Sequence, residues 1–249
     1  MAKFDSFVIC TSPRSGSTLL CRLLEETGVS GAPDSHFHQP SRAAWMEHFG
    51  VEERATEAET LAAVFARAVE KGRGGTDVFG LRLQRQSFAY FAETLRVMYP
   101  GFGTDVDRME AAFGRTLFIH LTRENKLDQA ISYVKAKQSG LWHRAPDGME
   151  IERLSAPAEP VYDRAAIAAQ LEASLRMDAE WVDWFSQEGI APLRIAYDAL
   201  SEDPHGARAS VLDALGVAFE PVGDALPVAR LADAVNAEWA KRFRREMPG

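Results

Sequence analysis

The chain alternates short apolar runs with longer amphipathic segments, and this pattern predicts its secondary structure. Four apolar runs of strand length occupy residues 7–10, 77–83, 115–121 and 192–197. Between them, apolar residues recur every three or four positions, which predicts helices. The predicted helices cover residues 17–27, 41–49, 56–70, 87–98, 126–138, 163–187, 204–216 and 230–245, and a further helix is predicted to end within residues 110–114. Strands that alternate with helices favour an α/β fold with a mostly parallel sheet covered on both faces.

No internal repeat or clear domain boundary interrupts this alternation, so residues 1–249 are expected to form a single domain. Residues 144–162 depart from it, because prolines and glycine break any periodicity there. Such a long connection in a compact domain is often a lid or a binding loop. Its acidic side chains are expected to be solvated; they are Asp147, Glu150, Glu152 and Glu159.

Composition and charge narrow the possible functions. The sequence is 46% hydrophobic and 26% charged, with a formal net charge of −8, which argues against a general binder of nucleic acid or of membrane surfaces. Any anion site must therefore be a local basic patch. The two cysteines, Cys10 and Cys21, have no metal-ligand spacing and are expected to be reduced and buried. Without a signal-peptide pattern or an 18-residue apolar run, a cytoplasmic protein without a membrane span is expected.

The first chemical motif follows the first predicted strand, in residues 11–18. A buried strand that leads through a small polar turn into a helix leaves free backbone N–H groups at the helix start, which suit an anion. The turn is not a Walker A motif, because Thr11 replaces the first glycine and Ser17 replaces the lysine. Arg14 supplies the positive charge instead. From these residues alone, a plain turn with a surface arginine is an equally open alternative.

A second basic cluster lies at the end of the third predicted strand. Residues 115–144 contain six Lys or Arg residues and only two acidic ones. Arg123 follows the strand, and Ser132 lies in the next helix, so the two could hold a second anionic group. A solvated helix face is the alternative for the lysines of this segment. Carboxyl ends of parallel strands meet at one edge of a sheet, where ligands bind, so the two motifs are expected to be neighbours.

Several segments in order resemble the sulfotransferases that use 3′-phosphoadenosine 5′-phosphosulfate (PAPS), and most closely the bacterial trehalose sulfotransferase branch. They span most of the chain and are residues 11–20, 121–132, 138–143, 195–204 and 233–239. The resemblance implies a P-loop NTPase-like three-layer sandwich with about four to five strands. It also implies PAPS as co-substrate, no metal, a homodimer, and transfer of the sulfuryl group to a hydroxyl of a carbohydrate or other small acceptor.

The resemblance also assigns roles to the two motifs. The sulfate and the leaving 5′-phosphate would be held, with Arg14 also acting in catalysis, by Arg14, Ser15, Gly16, Ser17 and Thr18. Arg123 and Ser132 would bind the 3′-phosphate and so distinguish PAPS from ATP. Two other functions remain open from the sequence: a catalytically inactive protein that binds PAPS or 3′,5′-ADP, and a nucleotide-dependent kinase of P-loop fold.

The chain departs from this branch in the loop after the first helix, residues 31–38. The branch carries two glutamates there, one of them the proposed general base, whereas this chain has Ala32 and Ser35 at those positions. His36 is the first candidate for the base, because an imidazole titrates near neutral pH. Asp34 and His38 are the alternates. The other possibility is that these are loop residues without a chemical role.

The acceptor pocket is expected to form from residues outside the two motifs. Arg82 lies on the second strand where the branch has a lysine, although a strand-end surface arginine is an alternative interpretation. Trp142 and His143 follow the predicted 3′-phosphate site, and His38 comes from the divergent loop. Together these four side chains are the candidates for binding the acceptor.

Overall fold

The computed structural model describes residues 2–145, 147–220, 227 and 234–246. The strands are β1 (Ser6–Thr11), β2 (Phe79–Gln84), β3 (Thr116–Thr122), β4 (Leu141–Arg144), β5 (Glu150–Arg153) and β6 (Leu193–Ala196). The helices are α1 (Ser17–Glu25), α2 (Arg42–Phe49), α3 (Glu57–Arg73), α4 (Arg85–Met98), α5 (Asp105–Phe113), α6 (Lys126–Ser139), α7 (Arg164–Gln187), α8 (Tyr197–Glu202), α9 (Pro204–Leu215) and α10 (Ala234–Glu246). The four predicted strands are therefore confirmed. The first residues of the last predicted helix, 230–233, lie outside the described part of the chain.

Local sequence signals explain where several helices begin. The Ser41 side chain accepts a hydrogen bond from the Ala44 N–H at the start of α2, as expected for an N-cap. Thr56 and Glu59 form a reciprocal capping box that starts α3. The helix predicted to end within residues 110–114 is α5, which the Thr104 side chain caps at its start and which runs from Asp105 to Phe113.

The central sheet has four parallel strands in the order β2-β1-β3-β6. β1 lies in its middle and pairs over its full length with β2 and β3, so that Thr11 is level with Gln84 and Leu121. All six residues of β1 are buried. A strand covered on both faces needs no polar positions, which is why residues 7–10 form one uninterrupted apolar run.

Alternate residues of β1 belong to different cores, which confirms the three-layer arrangement. Val8 and Cys10 pack in the cluster formed with α2, α3, α4, α5 and α7. Phe7 and Ile9 pack on the opposite face against α1, α8 and α9. This alternation follows from the two-residue period of a strand. Among the described residues, no helix is both long enough and apolar enough to cross a membrane.

The expected structureless connection at 144–162 is wrong, because β4 and β5 form an antiparallel hairpin there. Arg153 of β5 donates to the Ser139 carbonyl at 2.6 Å, and the Leu154 N–H donates to the Gly140 carbonyl at 2.9 Å. These contacts attach the hairpin to the end of α6. It therefore stands beside the carboxyl edge of the sheet instead of extending freely into solvent.

Candidate functional site

A cavity of about 590 Å³ opens at the carboxyl edge of the sheet. Every site residue predicted from the sequence lines it except Ser15 and His36. The residues that do so are Arg14, Gly16, Ser17, Thr18, Asp34, His38, Arg82, Arg123, Ser132, Trp142 and His143. The β1–α1 loop, the β2 edge, the β3–α6 junction and the β4–β5 hairpin thus meet at one site.

The β1–α1 loop, residues 12–16, has two residues in the left-handed backbone region, Arg14 and Gly16. Gly16 has φ of 86°, and a Cβ at this position would lie 2.6 Å from the Tyr197 ring, so a side chain is excluded. Arg14 has φ of 66° and is the only described non-glycine residue in the left-handed region. Strain of this kind tends to be kept at functional sites. Ser15 is buried and hydrogen-bonds Thr11, which fixes the loop from beneath.

Arg14 presents its guanidinium to the cavity. Its Nε donates to Ser132 Oγ at 3.0 Å, and its Nη1 donates to the Trp142 carbonyl at 2.6 Å. Within the described ranges it has no acidic partner at ion-pair distance. Burial, and then the charge of Arg123, lower the pKa of Arg14 to about 10, so it is still charged at neutral pH. A largely desolvated cation with no described carboxylate at ion-pair distance is costly unless a ligand supplies the negative charge.

Arg123 brings a second cation to the same cavity. Its side chain follows β3 and is only 9% exposed, with its guanidinium stacked 4.4 Å from the centre of the Tyr197 ring. The predicted grouping of Arg14, Arg123 and Ser132 is therefore present. Tyr197, at the start of α8, was not predicted to line the site, although it belongs to one of the segments that carried the family resemblance. Two neighbouring arginines and a hydroxyl suit a ligand with separated anionic groups.

Arg82 connects the divergent loop to the start of α1. Its Nη1 donates to Thr18 Oγ1 at 2.7 Å, its Nε donates to Ser35 Oγ at 2.7 Å, and its Nη2 lies 3.2 Å from Asp34 Oδ1. The loop reaches Arg82 because residue 34 bridges the β2 edge at Leu81. Burial raises the pKa of Asp34, but the Arg82 charge and the Ser35 N–H outweigh it and leave the pKa below its ordinary value.

His143 lies on β4 opposite Glu152 of β5. Its Nε2 is 3.0 Å from Thr18 Oγ1 and 3.3 Å from Glu152 Oε2. Burial, followed by the charges of Arg14 and Arg82, lowers the pKa of His143 to about 3, so the imidazole is neutral at neutral pH. Glu152 lines the cavity and is not simply a solvated loop residue. Asp147 and Gly148, a pair typical of hairpin turns, are the local sequence signal for this hairpin.

His36 does not reach the cavity, which corrects the first candidate for the base. Its side chain is 2% exposed, and its ring packs 6.3 Å from the Phe79 ring and 6.1 Å from that of Phe49. No hydrogen bond of normal geometry from the described residues reaches either ring nitrogen. Burial lowers the pKa of His36 to about 4. Phe37 packs against Trp45 and Phe49 and so holds this part of the loop in the core, whereas Asp34 and His38 remain exposed.

The parallel sheet, its small-residue loop and the two convergent arginines define an α/β protein whose site is built for an anionic ligand. A family model described as Stf0 sulphotransferase matches residues 6–246, and the chain belongs to that family. The predicted sulfotransferase class and its P-loop-like fold are thereby confirmed, in preference to the nucleotide-dependent kinase.

Named relatives extend this comparison. The trehalose 2-sulfotransferase of Mycobacterium tuberculosis is 27% identical, with 97% of this chain and 95% of that protein covered. The trehalose 2-sulfotransferase of Mycolicibacterium smegmatis is 25% identical over the same shares of the two chains. A solved sulfotransferase from Alicyclobacillus acidocaldarius is 16% identical and covers 98% of this chain and 92% of its own, with a TM-score of 0.45.

Proposed function

We propose that the protein transfers the sulfuryl group of PAPS to a hydroxyl of a carbohydrate. The observation that carries this proposal is the pairing of Arg14 with Arg123 beside Ser132 in one cavity. A nucleotide with an anionic group at each end of its ribose would place one such group at each arginine. The names of the two relatives favour a sugar as the acceptor.

In this proposal the β1–α1 loop binds the reacting end of the donor. PAPS supplies an activated sulfuryl group attached to a 5′-phosphate that can leave. Arg14, the backbone N–H groups at the start of α1, and the hydroxyls of Ser17 and Thr18 would hold the oxygens on which charge develops. Catalysis by such fixed donors depends on positioning and charge stabilisation, as in phosphoryl transfer.

Arg123 and Ser132 would bind the 3′-phosphate. The stacking of Arg123 on Tyr197 fixes the plane of the guanidinium, and Ser132 already accepts a hydrogen bond from Arg14. Because ATP and ADP lack a 3′-phosphate, this pair would give the site its preference for PAPS. A planar arginine that can bind two phosphate oxygens at once suits this task better than a lysine would.

The acceptor would enter on the side formed by Arg82, His38, Trp142 and His143. These groups offer hydrogen-bond donors and acceptors together with one aromatic face, which suits a hydroxyl-rich ligand. Asp34 would hold Arg82 in place through their ion pair. Asp34 is also the carboxylate closest in sequence to Ala32 and Ser35, which occupy the glutamate positions of the branch.

A thermal-shift titration with 3′,5′-ADP and with ADP tests the donor site. Stabilisation by a ligand depends on its affinity for the folded state, so 3′,5′-ADP should raise the melting temperature at far lower concentration than ADP. Transfer of labelled sulfate from PAPS to trehalose and to other sugars then tests the reaction. Equal responses to the two nucleotides would contradict the proposal. Tight binding of 3′,5′-ADP without transfer to any sugar would instead indicate the inactive binding protein.

Three further parts of the proposal rest on the sequence and the family resemblance. We infer a homodimer, a cytoplasmic location and a single domain over residues 1–249. The free, buried thiols of Cys10 and Cys21 favour a reducing compartment. Light scattering in solution, cell fractionation, and a single cooperative unfolding transition test these three points in turn.

A further inference from the structure

One titratable group in the cavity has no part in holding the donor. His143 belongs to the β4–β5 hairpin, outside the central sheet, and its side chain is 21% exposed. Its Nε2 lies 3.0 Å from the hydroxyl of Thr18, in the first turn of α1 directly after the β1–α1 loop. The imidazole therefore stands where the reacting end of the donor and the acceptor side meet.

Building on the PAPS-dependent transfer proposed above, we propose that His143 is the general base that takes the proton from the acceptor hydroxyl, with Glu152 as its positioning residue. Glu152 Oε2 lies 3.3 Å from the same ring nitrogen, and the two residues face each other across the hairpin. The neutral ring, with its lone pair on Nε2, makes no hydrogen bond to this carboxylate, but the N–H formed when Nε2 takes the proton can donate to Oε2 and so hold and stabilise the imidazolium. The base would thus come from the hairpin and replace the missing loop glutamates.

The other groups near the cavity fit this role less well. Asp34 Oδ1 already accepts from Ser35 N–H at 2.7 Å and from Arg82, so its charge is largely neutralised. His36 is enclosed in the core. His38 lines the cavity, but its side chain is exposed, and it is not coupled to the start of α1 as His143 is.

The hydrogen bonds around Thr18 prepare His143 as a proton acceptor. Arg82 can only donate, so Thr18 Oγ1 accepts from Arg82 Nη1 and can direct its own proton to Nε2 of His143. That arrangement requires a neutral ring with a lone pair on Nε2. When the Thr18 hydroxyl instead donates to the bound donor, the lone pair on His143 Nε2 becomes free to accept the proton of the acceptor hydroxyl.

The proposed step conserves atoms and charge. The acceptor oxygen forms a bond to sulfur while the bond from sulfur to the 5′-phosphate oxygen breaks. The electron pair of the broken bond stays on that phosphate oxygen, which leaves as part of 3′,5′-ADP. The hydroxyl proton passes to Nε2 of His143, giving an imidazolium next to the Glu152 carboxylate.

The charges around the His143 ring make its pKa depend on whether the donor is bound. The charged groups that face His143 come from the β1–α1 loop, α1, β2 and β5, and they are Arg14, Arg22, Arg82 and Glu152. Burial and the three arginines hold the pKa of His143 at about 3 in the structure described here. An anionic donor bound between the arginines offsets their charge, so the pKa should rise on binding. His143 would then become a stronger base only when the donor is in place.

The decisive experiment compares His143→Gln with the wild type at saturating PAPS. Because general base catalysis contributes about 10²–10⁴-fold, we expect kcat to fall by roughly a hundredfold or more. The affinity for 3′,5′-ADP should change less than about threefold. The acid limb of the pH profile of kcat should also disappear. His48→Gln, on the surface of α2, is the matched histidine control and should behave as the wild type.

A second pair of variants tests Glu152 as the positioning residue. Glu152→Gln should lower kcat by about tenfold and shift the acid limb to lower pH, because the imidazolium loses its carboxylate. Glu150→Gln, on the same strand but ion-paired with Arg153, should leave both unchanged. NMR titration of the His143 ring should show a higher pKa with 3′,5′-ADP bound than without it.

Several results would overturn the assignment. His143→Gln retaining a third or more of kcat, or keeping the acid limb, would exclude His143 as the base. If Asp34→Asn removed the limb and His143→Gln did not, Asp34 would be the base. Failure of the donor proposal itself is distinguishable, because the wild type would then show no preference for 3′,5′-ADP and no transfer from PAPS.

Discussion

The donor end and the acceptor end of the cavity are built in different ways. The reacting part of the donor end is the β1–α1 loop, which is shaped by nearby residues, such as the Thr11–Ser15 hydrogen bond, and by the buried central strand that carries it, although Arg14 itself is held by Ser132 and Trp142. The acceptor end is assembled from residues 31–38, the β2 edge and the β4–β5 hairpin, which are far apart in the chain. The donor end can therefore be read from a local motif, whereas the acceptor end depends on tertiary packing.

The largest effect should come from removing the cation of the donor end. We expect Arg14→Ala to lower kcat/KM by about 10²–10³-fold, because a fixed donor to the developing charge is lost. Arg14→Lys should recover only a small part, since a lysine cannot keep the bonds to Ser132 and Trp142 and also meet the ligand. Steady-state kinetics with labelled PAPS measures both variants.

Arg67→Ala provides the matched control for the loss of an arginine. Arg67 lies on α3, 61% exposed and ion-paired with Glu70, and its removal should leave kcat/KM within about twofold. If Arg14→Ala kept a tenth of the wild-type activity, Arg14 would not stabilise the transferring group. The donor end would then have to be assigned to the backbone N–H groups alone.

A smaller effect is expected at the acceptor end. Arg82→Gln removes the guanidinium that connects Thr18, Ser35 and Asp34, and it should raise the KM for the acceptor by about tenfold, the cost of one charged hydrogen bond. The affinity for 3′,5′-ADP should change little, in contrast to Arg14→Ala. Isothermal titration with 3′,5′-ADP and acceptor kinetics separate the two. Equal losses of nucleotide affinity in the two variants would mean that the cavity has no separate acceptor end.

The same contrast explains how much the sequence could predict. The strands, most helices and the grouping of Arg14, Arg123 and Ser132 followed from periodicity and from the rule that strand ends meet at one edge. The hairpin was not predicted, because its strands are four residues long and only half-buried. Glu152 then looked like a solvated acid, since nothing local showed that it faces His143. Likewise, of the two histidines of the divergent loop only His36 packs near Phe49 and Phe79, and nothing local in the sequence distinguishes it from His38.

The smallest effect is expected at His36, and it is an effect on folding stability because this side chain is buried in the core. Its pKa of about 4 lies below the ordinary value of 6.5, so the unfolded chain binds a proton that the folded chain excludes. The contribution of His36 to the free energy of unfolding is therefore fully present above pH 6.5 and is lost as the pH falls towards 4. Between pH 7.5 and pH 5 the loss should be about 2 kcal/mol.

Two substitutions at this position separate the charge from the polarity of the ring. His36→Gln should remove this pH dependence, and His36→Phe should also stabilise the protein at pH 7.5 by about 1 kcal/mol, because two buried polar atoms without good partners are lost. Urea unfolding at the two pH values measures both effects, with exposed His48→Gln as the control. Turnover should remain at the wild-type level in both variants, since the ring lies outside the cavity. A hundredfold loss of kcat in His36→Gln, with stability unchanged, would instead place His36 at the reacting hydroxyl and would make its burial a property of the donor-free protein only.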